Sequence, residues 1–241
     1  MGEIDGLMDA IKRMAEISGV DLSTIKIDDK IDLDKSAEFK EIEPYVLKMI
    51  GDEFKNIHRF EDFELAENKI KAVKNFMNGS DKKFLILRGT TGTAKSCIAK
   101  VLLSGFYKKL LKRESVKFFQ QVKDFAYYTR AEDLFGKFKE CFANGESTEW
   151  IIDNLNSYFL LIIDEIGATM KSEFELVKFT QLIDDFYRFS GRKMVLISNL
   201  ENDVDWIKSI GNRAFSRICQ YGTVIEFKGD DYRIQFKEVV A

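Results

Sequence analysis

An apolar run, Phe84-Leu85-Ile86-Leu87, opens onto Gly89-Thr90-Thr91-Gly92-Thr93-Ala94-Lys95-Ser96, and a helical pattern begins near Cys97. This order of strand, glycine-bearing loop and helix constrains the fold more than any other feature of the 241 residues. The N–H groups of such a loop and the N-terminus of the helix behind it converge on anionic oxygens. Lys95 would reach β- and γ-phosphates, and the Ser96 hydroxyl would ligate Mg²⁺. The stretch from Gly89 to Cys97 therefore predicts a nucleoside-triphosphate site, with ATP and Mg²⁺ as its ligands.

One position departs from the expected G-x-x-x-x-G-K-[ST]. Ala94 stands where the second defining glycine belongs. Alanine fits freely at negative φ, but a loop that needs positive φ there costs about 1–2 kcal/mol. Two outcomes stay open at this point: a working ATPase, and a loop that binds ATP but turns it over weakly.

Composition narrows the setting. Hydrophobic residues make up 45% of the chain, enough for one substantial core and a small additional module. The net charge of −3 gives no global electrostatic case for nucleic acid, so DNA contact would need a local patch. Cys97, Cys141 and Cys219 lie far apart, which argues against a zinc module or disulfide framework and suits a reducing cytosol. No run approaches the ~18 apolar residues a membrane span needs. A cytoplasmic protein without membrane contact is the expectation.

The rest of the chain alternates strands and helices. Ile4, Leu7, Met8, Ile11, Met14 and Ala15 recur at helical spacing, and an acid-leaning stretch from Asp21 to Glu43 reads as a linker. Pro44 suits the start of a helix carrying Leu47, Ile50 and Phe54, and a further helix is predicted over Glu64–Met77. After the loop, helices are predicted over Ser96–Lys112, Ala131–Phe142, Thr148–Leu155, Ser172–Phe189 and Asn212–Cys219. Strands are predicted over Asp124–Thr129 (with Val116–Gln121 competing), Tyr158–Ile163, Lys193–Ser198 and Thr223–Phe227. Such alternation predicts an α/β fold with a parallel sheet and ligand at the strand C-terminal ends.

Phe159-Leu160-Leu161-Ile162-Ile163 ends in Asp164-Glu165, a buried-type strand delivering two carboxylates to that edge. Asp164 would hold Mg²⁺ and Glu165 would orient and deprotonate the attacking water. Asn199 closes the strand Lys193–Ser198 and is placed to position that water, although an asparagine also simply starts turns. Arg213 and Arg217 lie four apart on one helix face, where the bland alternative is a solvated surface. Arginine's planar fork suits phosphate oxygens across a subunit boundary. Arg233 is a weaker candidate of the same kind.

Taken in order, the phosphate loop, LLIIDEIG (160–167), VLISNL (195–200), IGNRAFSRI (210–218) and FKGDDYR (227–233) resemble the AAA+ ATPases of the DnaC/DnaI-type bacterial or phage helicase loaders. The related IstB ATPases share much of the set. The resemblance implies a P-loop AAA+ core without a separate C-terminal lid, over residues 58–241, with a small helical module over 1–57 as the candidate grip on a helicase; helices that merely pack on the core are the competing reading. Gly89 to Ser96 then match Walker A, Asp164 and Glu165 Walker B, and Asn199 sensor 1. Arg217 matches the trans-acting arginine finger, Arg213 a supporting arginine and Arg233 the sensor-2 arginine. Phe63, in the segment FEDF, would lie beside the adenine. The helix around Asp184-Asp185-Phe186-Tyr187 departs from the family, where a basic residue often precedes the aromatic.

The resemblance also implies an ATP-dependent oligomer, a replicative hexameric helicase as partner, and single-stranded DNA. Lys108, Lys109, Lys112 and Arg113 near Phe118 and Phe119 offer basic residues beside aromatic platforms; a charged helix face over core aromatics is the competing reading. Alternatives to a helicase loader are an IstB-like transposition helper and an ATP-sensing scaffold with little hydrolysis.

Overall fold

The computed structural model describes residues 43–44, 46–55, 66–78, 81–111, 126–167, 172–188 and 191–229. The expected first helix, Phe63, Val116–Gln121 and Arg233 lie outside these. So does the basic cluster, the side chains of Lys108 and Lys109 included.

Five strands form one sheet: β1 (Phe84–Gly89), β2 (Ala126–Arg130), β3 (Leu160–Ile166), β4 (Lys193–Ser198) and β5 (Gly222–Phe227). Their order is β2-β3-β4-β1-β5, and every neighbouring pair is parallel. Parallel strands need crossovers, and helices supply them: α1 (Glu67–Met77) precedes β1, α2 (Lys95–Leu111) follows it, and α3 (Ala131–Ala143) and α4 (Glu149–Ser157) link β2 to β3. α5 (Glu173–Arg188), α6 (Asp203–Ile210) and α7 (Asn212–Gln220) complete the series.

The central strands are apolar on both faces because helices cover both. Alternate residues go to opposite sides. Leu85, Leu87, Leu160, Ile162, Val195 and Ile197 meet α1 and α2. Phe84, Ile86, Leu161, Ile163, Met194 and Leu196 meet α3 to α7. Residues 46–50 are helical, and Val46 and Ile50 pack in the first cluster with Phe76, Ile98 and Leu102. Val46 rather than Leu47 shares the buried face with Ile50. The fully buried Lys100 of α2 is paired with Glu43, joining the segment before β1 to the helix behind the phosphate loop. No helix among the described residues is long and apolar enough to cross a membrane.

Two element readings shift. β3 runs past Ile163 to Ile166, so the acidic pair lies inside the strand rather than beyond it. α6 was not anticipated; Asn202 caps it by accepting from the Asp205 N–H at 2.9 Å.

Candidate functional site

Parallel strands bring Gly89, Arg130, Asp164 and Ser198 to one edge of the sheet. Arg88 is level with Ser198, Ser198 with Ile166, and Asp164 with Arg130. The loop leaves β1 at Gly89, where φ is 133° and a Cβ would lie 1.8 Å from the Phe227 carbonyl oxygen. Only glycine allows β5 to approach so closely. The next residue is tied to the end of the same strand: the Thr90 N–H donates to Phe227 O at 3.2 Å and its hydroxyl to Gly229 O at 3.1 Å.

Gly92 has φ 76°, and Ala94 has φ 64°. The loop therefore does require the left-handed conformation at Ala94, and alanine holds it at about 1–2 kcal/mol. The Thr93 hydroxyl donates to Thr90 O at 2.7 Å, stapling the loop across its own turn. Lys95 begins α2 and is 5% exposed. Its ammonium donates to Gly89 O at 2.9 Å and Thr90 O at 2.6 Å, curled within the loop it follows. Thr91 is exposed at the loop tip, and Cys97 is half-buried.

The next residue, Ser96, donates its hydroxyl to Asp164 Oδ2 at 2.7 Å, a contact across 68 residues of sequence. Tyr128 OH donates to the same oxygen at 3.0 Å, and the Glu165 N–H donates to Oδ1 at 2.7 Å. Asp164 is thus buried and fully engaged. The Tyr128 hydroxyl is pushed well above its ordinary value, by burial first and then by the Asp164 charge, so it stays a proton donor.

Glu165 has the opposite character, exposed and with φ 60°. The β3–β4 register explains it: Ile163 is level with Leu196 but Ile166 with Ser198, so three steps on β3 match two on β4. A bulge falls on the acidic pair, and bulges re-aim side chains. Arg130, the last residue of β2, lies close enough to Glu165 that this charge is the main cause raising its guanidinium above the ordinary arginine value. Tyr128 and Arg130 were not singled out from the sequence. They belong to no motif, and only the β2–β3 register brings them to Asp164 and Glu165.

The Ser198 hydroxyl donates to Ile166 O at 2.6 Å and accepts from the Leu200 N–H at 3.0 Å, turning the chain so that Asn199 is exposed at the end of β4. Arg213 and Arg217 do not join the loop in the same chain. Both meet Asp184 of α5. Phe63 and Arg233 fall outside the described residues.

A phosphate loop after β1, between β4 and β5, and a bulged carboxylate pair on β3, in a parallel sheet of this order, define the fold and site of a P-loop nucleotide-binding protein. The chain belongs to the IstB-like ATP-binding protein family, which matches residues 47–239. The replicative helicase loader DnaC of Escherichia coli (strain K12) is 29% identical over 153 residues, 61% of this chain and 55% of that protein. The chain thus spans about half the length of the curated relatives it matches.

Among solved structures, the DnaC helicase loader aligns with a TM-score of 0.58 at 16% identity, over 74% of this chain and 100% of that one. AMPPCP-bound DnaA from Aquifex aeolicus gives 0.54 at 18%, over 70% and 50%. DnaI gives 0.52 at 17%, over 72% and 89%. At these identities the likeness is one of fold.

Proposed function

We propose that this chain hydrolyses ATP with Mg²⁺ and uses the cycle to load a replicative DnaB-type helicase onto single-stranded DNA in the cytoplasm. The observation that carries the reading is the Ser96–Asp164 contact at 2.7 Å, one residue from Lys95 and one from Glu165. The relationship to DnaC, a replicative helicase loader, supplies the partner. The solved DnaA complexes contain AMPPCP, in one case with single-stranded DNA.

The Ser96 hydroxyl and Asp164 carboxylate are hard oxygen donors, the set that Mg²⁺ accepts beside phosphate oxygens. When bound there, the ion would neutralise charge on the β- and γ-oxygens. Lys95 exchanges the loop carbonyls for phosphate oxygens, and the N–H groups from Gly89 to Cys97 cradle the chain of phosphates. Glu165, exposed on its bulge, orients and deprotonates the attacking water, with Asn199 alongside. The family resemblance would assign Phe63 to the base and Arg233 to sensing the γ-phosphate. Arg217, supported by Arg213, serves the triphosphate of a neighbouring copy in an ATP-dependent oligomer. The 1–57 module grips the helicase, its residues 46–54 also packing on the ATPase domain of 58–241.

The test is Glu165→Gln. ATP affinity is retained, turnover falls by about 10²–10⁴-fold, and a hexameric DnaB-type helicase still co-elutes but is no longer loaded to displace an oligonucleotide annealed to a single-stranded circle. Wild-type turnover no faster than the variant's would favour the ATP-sensing scaffold. The family match itself favours a second reading, an IstB-like transposition helper. ATP-dependent filaments on DNA, with no helicase binding, would select it.

A further inference from the structure

Arg213 and Arg217 are fastened to one carboxylate. Arg213 Nη2 donates to Asp184 Oδ2 at 2.7 Å, and Arg217 Nη1 is paired with Oδ1 of the same residue. The Asp184 side chain is only 11% exposed, at the seam where α5 packs on α7. Arg217 is 25% exposed, with its guanidinium over the Tyr187 ring at 5.4 Å, whereas Arg213 is 65% exposed. The two arginines therefore differ. Arg217 is held on two sides, and Arg213 keeps its outer edge in solvent.

We propose that Asp184 is a positioning residue that braces both guanidinia so that their free N–H edges, with Arg217 as the finger and Arg213 in support, meet the triphosphate bound by a neighbouring copy. This rests on the self-assembly reading given above. Each guanidinium has five N–H donors, so Arg213's one bond to Asp184 and Arg217's ion pair with it leave the other donors for phosphate. One carboxylate against two guanidinia leaves a net positive charge, as an anion clamp requires. Fixing two long side chains beforehand also removes rotamer entropy that binding would otherwise lose. Releasing both arginines would strand a mostly buried carboxylate without its partners, which is strongly unfavourable. The pair therefore works from Asp184 rather than by leaving it.

The opposite role, a latch withholding the arginines, predicts the opposite sign. The experiment follows ATP turnover per protomer against protein concentration in the full chain, for wild type, Asp184→Asn, Asp184→Ala, Arg213→Ala and Arg217→Ala. A fluorescent ATP analogue reads single-protomer affinity in parallel.

Bracing predicts that Asp184→Ala lowers the concentration-dependent kcat on the order of 10²-fold, the effect of a displacement near 1 Å, while KM and analogue affinity stay within about twofold. Asp184→Asn keeps one acceptor and loses less; it also carries the test if the alanine variant fails to fold. Higher turnover at low concentration in either Asp184 variant identifies a latch and overturns the proposal. Stimulation kept in the Asp184 variants but lost in the arginine variants overturns the brace alone. Stimulation unchanged in every variant, or absent in wild type, overturns the trans-arginine reading and the brace with it.

Discussion

Ala94 and Glu165 share an unusual backbone, with φ of 64° and 60° among the described residues. For a residue with a Cβ this is stored strain, and such strain gathers at functional sites. Ala94→Gly relieves about 1–2 kcal/mol in the folded loop and returns roughly 0.4–1 kcal/mol through greater unfolded-state freedom. The expected result is a net stabilisation of about 0.5–1 kcal/mol in urea unfolding. Because alanine already holds the loop in this conformation, ATP affinity changes less than about tenfold; a gain of several orders in a binding titration would refute that. The departure at Ala94 was legible in the sequence as a missing glycine, but its sign was not, since φ is set by the whole loop. Lys95, Ser96 and Asp164 were legible because their motifs are contiguous. Arg130 and Tyr128 were not, because their place beside the acidic pair comes from strand register alone.

Among the elements, the central strands were readable from runs of apolar residues with no polar interruption. The end of β3 was misjudged because a bulge continues the strand through two carboxylates that look like its terminus. α6 was missed because Asn202-Asp203 reads equally as a turn; the capping contact to Asp205 distinguishes them. The partnership of Glu43 with Lys100 was also hidden, since the two are 57 residues apart. Lys100 is completely buried and the Glu43 side chain is 15% exposed. Removing one member of a buried pair leaves a charge without compensation. Glu43→Ala therefore costs roughly 3 kcal/mol, visible as a lower urea midpoint with an unchanged slope. A loss under about 1 kcal/mol would mean that the ammonium finds other company. α2 would then be less firmly coupled to the preceding segment than the pairing indicates.

Across the whole molecule, the strand order places the phosphate loop between β4 and β5, and that placement depends on one absent side chain. Gly89→Ala drives a Cβ into the Phe227 carbonyl, which cannot yield without separating β5 from β1. A loss of roughly 3 kcal/mol or more is expected, with a matching drop in Tm. Gly105, on the exposed side of α2, has nothing within 4 Å of the place a methyl group would take. Its change to alanine raises stability by about 0.5–1 kcal/mol, so the pair of variants separates crowding from simple glycine loss. The parallel architecture was legible from alternation, whereas the close approach of β5 was not, because a glycine in a phosphate loop already has a reason to be there.

Lys100 follows Lys95 by five residues, about 7–8 Å along a helix, and it is gripped by Glu43. On the helicase-gripping role proposed for the amino-terminal module, a pull at Glu43 would act in series with the phosphate loop at the other end of the same short, stiff helical turn.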